Sequence, residues 1–192
     1  MIRLKGKQWM AALLVVCVPM GMASCSQETV VTNEGPSDSQ VLAQYEDARE
    51  AFLWFATDSA MPFDYDAPRT SQGRTYYPVT HESIQTMQKL RVRLERLFAP
   101  ALVESLLDTG YYIDLGGKLY TTGEQRGGSP ARVRPQMPEL ERQLDGSVLV
   151  HVAVEFTEGA GADSKVTQRE NYVFPYRQVS GKWVFTEFDV FL

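Results

Sequence analysis

Two histidines, two cysteines and a few paired acids are the residues of this 192-residue chain that could do chemistry. His151 sits in a run where Val148, Val150, Val152, Val154 and Phe156 share one strand face. Leu149, His151, Ala153 and Glu155 share the other. An imidazole and a carboxylate on one face can act as general base and orienter. The plainer reading is an outward strand histidine among polar neighbours, because the Val face already supplies a core. His81 follows the capping residue Thr80 and reads as an exposed first-turn residue. Carboxylates pair at Asp64/Asp66 and Glu187/Asp189, and the second pair alternates on an expected strand, which puts both on one face about 7 Å apart. Such pairs can hydrolyse glycosides, but same-face acids on a solvated strand are commoner. Asp64-Tyr65-Asp66 offers oxygens to calcium, yet no EF-hand spacing follows. Gly123 to Gly128 is glycine-rich without the Lys-Ser/Thr of a phosphate loop. No Gly-x-Ser-x-Gly element is present. The expectation is a chain with no catalytic set, no metal and no cofactor.

The cysteines point elsewhere. Arg3, Lys5 and Lys7 precede an uncharged apolar run from Trp9 to Ala23. Its length of about 22 Å falls short of the ~30 Å hydrocarbon core, so a signal segment fits better than a membrane span. The run ends in Met22-Ala23-Ser24-Cys25, small residues before a cysteine. That ending resembles the lipobox of bacterial lipoproteins, with Met22 where the pattern prefers Leu. The resemblance implies that Cys25 is acylated and becomes the mature N-terminus. Residues 1–24 then form a signal peptide and 25–39 a lipidated tether, and the protein faces the extracytoplasmic side. Losing 1–24 removes three cations and no acid, so the net charge moves from −5 to −8. An acidic chain argues against nucleic acid as a partner, which needs a basic face. Loss of Cys17 leaves the domain without a thiol for nucleophilic, disulfide or zinc chemistry.

Residues 40–192 read as a single domain. Val41, Leu42, Tyr45, Ala48, Phe52 and Phe55 recur at helical spacing after Asp38 or Ser39 as cap. Residues 62–79 read as a long irregular segment. A second helix is expected from Thr80, with Lys89, Arg91, Arg93 and Arg96 in its C-terminal half, where cations suit the helix dipole. Pro100 opens a third helix that ends before Gly110. Gly116-Gly117 joins two short strands, and Pro135 marks an edge strand. The Val run, residues 166–179 and residues 182–192 complete an antiparallel meander. Helices followed by such strands give an α+β fold, helices packed on a curved antiparallel sheet. The terminal hairpin with Trp183-Val184-Phe185 resembles NTF2-like or cystatin-like domains.

Binding residues should lie on loops over a rigid sheet. Glu158 and Asp163, in the loop of the longest hairpin, are the first choice. Asp64, Tyr65 and Asp66 are the second. Tyr76-Tyr77, Tyr111-Tyr112 and Phe63/Tyr65 could serve recognition or pin loops to the core.

Three stretches, taken in order, resemble one bacterial family. They are Tyr77-Pro78-Val79 leading to Leu97-Phe98, then Leu115-Gly-Gly-Lys-Leu-Tyr120 with Gly123-Glu-Gln-Arg-Gly127, and Gly181-Lys-Trp-Val184. Their order is similar to the IseA-type inhibitors of cell-wall DL-endopeptidases. The resemblance implies a non-catalytic envelope protein that covers the cleft of an NlpC/P60-type peptidoglycan hydrolase. The competing reading is an NTF2-like small-ligand binder or enzyme with a pocket near His151.

Several acyl chains hold a protein on a membrane where one binds marginally. Cys25→Ser should therefore move the protein into the soluble fraction, while Cys17→Ser should not, as read by fractionation. Unmodified Cys25 in soluble wild-type protein would overturn the anchor.

Overall fold

The first helix begins three residues earlier than Val41. Ser37 starts it with a reciprocal cap: its Oγ accepts from Gln40 N at 3.3 Å, and its own N donates to Gln40 Oε1 at 2.8 Å. The computed structural model describes residues 35–56, 61–123, 133–158, 165–189 and 191. The signal peptide, Cys25 and Asp163 lie outside the described residues.

Helix α1 (Asp38–Ala56) buries Val41, Tyr45, Ala48, Ala51, Trp54 and Phe55. Four residues of the expected apolar stripe are buried, Leu42 and Phe52 only partly, and Ala51 and Trp54 complete the buried face. Residues 62–79, expected to be irregular, contain a hairpin instead. Strand β1 (Arg69–Ser71) pairs antiparallel with β2 (Arg74–Pro78). The turn between them is Gln72-Gly73, both residues at positive φ. Such turns match the twist of the strands they join.

Helix α2 runs over Met87–Glu95, not from Thr80. Thr86 is its cap and accepts from Lys89 N at 3.2 Å. Residues 80–86 stay out of the helix because the sheet uses them: Leu119 N donates to Gln85 O at 2.8 Å. Helix α3 (Pro100–Leu107) starts at its proline as expected. Strands β3 (Tyr112–Leu115) and β4 (Lys118–Thr122) flank Gly116-Gly117, again both at positive φ. The first sheet has the order β1-β2-β4-β3.

The second sheet is built on β7 (Val148–Glu158) and β8 (Lys165–Val179). Val148, Val150, Val152 and Val154 are all fully buried, as their alternation demands. A bulge between Phe156 and Thr157 then shifts the alternation, so Thr157 is buried and Phe156 only partly. Strands β5 (Val133–Pro135) and β6 (Glu139–Arg142) both pair with β7. The Ser180-Gly181 turn leads to β9 (Lys182–Phe185), which pairs with β8. β9 is shorter than expected, and 186–189 lie outside it. Its outer side is met by the end of α2: Phe185 N donates to Leu97 O and Ala99 N to Phe185 O, each at 2.8 Å.

The architecture is α+β, with two antiparallel sheets where one continuous meander was expected. α1 serves both. Phe55 packs on Tyr112 of the first sheet at 5.1 Å, and the Tyr112 hydroxyl donates to Trp54 O at 2.7 Å. Tyr45 packs on Phe174 of the second at 5.7 Å. Phe188 closes the core against Phe174 at 4.5 Å, Phe185 at 5.2 Å, and Phe52 and Phe98 each at 5.5 Å. Among the described residues no helix is long and apolar enough to cross a membrane.

Phe188→Ala should lower unfolding free energy by about 3–5 kcal/mol in a denaturant titration. Burial pushes the Tyr45 phenol from 10.0 up to about 12. The folded chain then holds that proton more tightly than the unfolded one. This contribution is complete below pH 10 and is lost as pH rises through about 12. Stability should fall across that alkaline window, and less steeply in Tyr45→Phe.

Candidate functional site

Phe63, Tyr65 and Tyr77 form a triangle of rings at one end of the first sheet. The centroids are 4.4 Å apart for Phe63–Tyr65, 5.3 Å for Tyr65–Tyr77 and 5.5 Å for Phe63–Tyr77. Tyr65 is nevertheless 66% exposed. The backbone beneath is tied down. Asp64 N donates to Pro78 O at 3.0 Å, and Thr80 N donates to Pro62 O at 2.9 Å. Asp64 Oδ1 accepts from Asp66 N at 2.9 Å, a local turn that sets Tyr65 at its apex. Gly123 lies under the triangle: a Cβ there would stand 2.6 Å from the Tyr77 ring. The result is a fixed aromatic tip with an acid on each side of Tyr65.

The paired tyrosines divide by strand alternation. Tyr76 is buried and its hydroxyl donates to Gly110 O at 3.4 Å, while Tyr77 turns to the tip. Tyr112 is buried under Trp54. One member of each of those two pairs therefore pins the fold.

Glu158 ends β7, exposed, directly across from Lys165.

His151 lies on the face of β7 opposite the buried valines. Its Nε2 is 2.9 Å from Glu141 Oε2 on β6. Glu155, the expected orienter, is instead bonded by Arg169 Nε at 2.9 Å. The structure therefore separates the pair that the sequence placed together. Glu141 sits below the usual carboxylate range, first through the Gln143 amide and second through His151. That is an interaction of a solvated sheet face. His151 lines none of the concavities beside α1, α2, α3 or β4. Glu187 and Asp189 follow β9 and are exposed, so the strand argument for their pairing falls.

His81 is not a first-turn residue. It lies in the non-helical segment before α2, its Nδ1 accepts from Ser83 N at 3.2 Å, and its ring meets Trp54 edge-on at 5.7 Å. Among the described residues no group of three or more His, Cys, Asp or Glu converges as a metal site needs. No protein-family model matches this chain, and no curated protein matches its sequence.

The tip's geometry is open to a direct check. Gly123→Ala should displace the Tyr77 ring and loosen the triangle. The near-ultraviolet circular dichroism of the tyrosines should fall while the far-ultraviolet spectrum stays unchanged. An unaltered near-ultraviolet spectrum would show that the ring does not rest on that glycine.

Proposed function

We propose that this protein is a non-catalytic, lipid-anchored protein of the cell envelope that binds and inhibits a peptidoglycan DL-endopeptidase through the Asp64-Tyr65-Asp66 tip. An NTF2-like or cystatin-like domain is part of this reading. It is supported by α1 lying against the long β7–β8–β9 meander. The single observation that carries the binding role is Tyr65, 66% exposed yet held between two other rings. A ring fixed before binding loses little freedom on contact, and exposed tyrosines of this kind dominate binding energy at protein interfaces. The flanking carboxylates suit a cleft that normally meets the acids of wall peptides. They add attraction that salt weakens. The partner itself is suggested by the resemblance to IseA-type inhibitors and by the expected leader before Cys25. The tip displaces Glu158 and Asp163 as first choice because it combines a preset aromatic with two acids.

The test is turnover of cell wall by DL-endopeptidases of the same organism, titrated with this protein. Wild type should inhibit, and less strongly at high salt. Tyr65→Ala combined with Asp64→Asn and Asp66→Asn should raise the inhibitory concentration about thirtyfold, ~2 kcal/mol. Glu158→Gln should change it less than about threefold, ~0.6 kcal/mol. Absence of inhibition by wild type against every hydrolase would overturn the inhibitor reading. Unchanged inhibition by the triple variant would overturn the tip as contact surface.

A further inference from the structure

A furrow follows the seam between α1 and α2. Two concavities make it up, of about 600 Å³ and 660 Å³. Arg93 and Arg96 line both, so the two meet at these residues. The first has Trp54 and Ile84 in its floor, with His81 and Lys89 beside them. The second is walled by Gln44, Tyr176 and Trp183. Along α1 the furrow extends from Gln40 to Trp54, about 21 Å at 1.5 Å per residue.

Its charge runs against that of the whole molecule. The chain carries a net −5, yet the furrow gathers Lys89, Arg93 and Arg96. Two acids face them. Asp47 holds Arg93 at 3.2 Å, and Glu50 stands on the wall of the first concavity. Arg91, on the same helix, is spent on Glu104 outside the furrow. Among the described residues no carboxylate lies within ion-pair reach of Arg96 or Lys89. Arg93 is oriented by Asp47, while Arg96 and Lys89 are left for something else.

The neutral groups narrow the chemistry. Gln44 and Gln88 present amides, which both donate and accept, as peptide groups require. The Nδ1 of His81 already accepts from Ser83 N, so its Nε2 carries the proton and is a further donor. A guanidinium matches a carboxylate with two parallel hydrogen bonds.

We infer that this furrow is a second binding site, for an extended peptide bearing carboxylates. Arg96 and Lys89 bind its acids, Gln44 and Gln88 its amide groups, and the Trp54–Ile84 floor its apolar parts. The site is separate from the aromatic tip and does not rest on the endopeptidase reading.

The test is calorimetric titration of the full chain in mild detergent. The probes are triglutamate, triglutamine and inorganic phosphate. Triglutamate should bind, and triglutamine at least about tenfold more weakly, since it keeps the shape and loses the charge. Arg96→Ala with Lys89→Ala should weaken triglutamate at least about tenfold. Both side chains are surface groups, so the melting temperature should hold. Arg177→Ala, on the exposed face of β8, should leave binding unchanged. Phosphate bound as tightly as triglutamate would overturn the peptide assignment. Equal binding of triglutamine, no binding of triglutamate, or binding indifferent to the double variant would each overturn the site. The same double variant should still inhibit endopeptidase as wild type does, so failure at the furrow and failure at the tip are read separately.

Discussion

The ring of Phe188 is where three parts of the chain are forced together. Rings from α1 (Tyr45, Phe52), from the end of α2 (Phe98) and from the long meander (Phe174, Phe185) all pack against it. Aromatic rings prefer tilted or edge contacts, and a cluster of five fixes orientation as well as distance. Two antiparallel sheets that share no strand need such a device. α1 supplies it by facing both, through Phe55 and Trp54 on one side and Tyr45 on the other. Both proposed binding surfaces hang on this arrangement. The tip stands on the first sheet, and the furrow is the seam that α1 makes with α2.

Sequence pattern carried the parts whose signals are local and strong. The Val148–Val154 alternation, the Pro100 helix start and the Gly116-Gly117 turn all appear where spacing placed them. The errors are cases where another part of the chain chose between local options. Thr80 and Thr86 are both competent caps, and hydrogen bonding of Gln85 O to Leu119 decides for the later one. The β1–β2 hairpin has no apolar alternation to announce it, since Arg69, Thr70, Arg74 and Thr75 are exposed. Its pairing with β4 holds it, and pairing partners are not visible locally. The terminal acids were misread because β9 gives way to Phe188, which the core claims.

For the sites, residue type was legible and convergence was not. Tyr65 between two acids stood out in the chain. That Tyr77 returns to the same spot depends on the 62–64 segment running beside 78–80. The basic residues of α2 were visible as favourable charges at a helix end. Their second role emerges only when α1 is laid alongside. His151 shows the converse: a suggestive neighbour in sequence, Glu155, belongs to Arg169, and the real partner comes from another strand.

The start of the described chain has a mechanical side. Gly35 lies so near Trp183 that a Cβ there would stand 3.1 Å from the indole, and Arg142 holds both Pro36 O at 2.8 Å and Asp38 Oδ1 at 2.5 Å. A pull on the chain ahead of Gly35 therefore meets an indole, a guanidinium and the first turn of α1 together. Force enters the molecule at a clamp. Arg142 belongs to β6 and Trp183 to β9, so a load arriving at Gly35 is shared between the helix start and two strands of the second sheet.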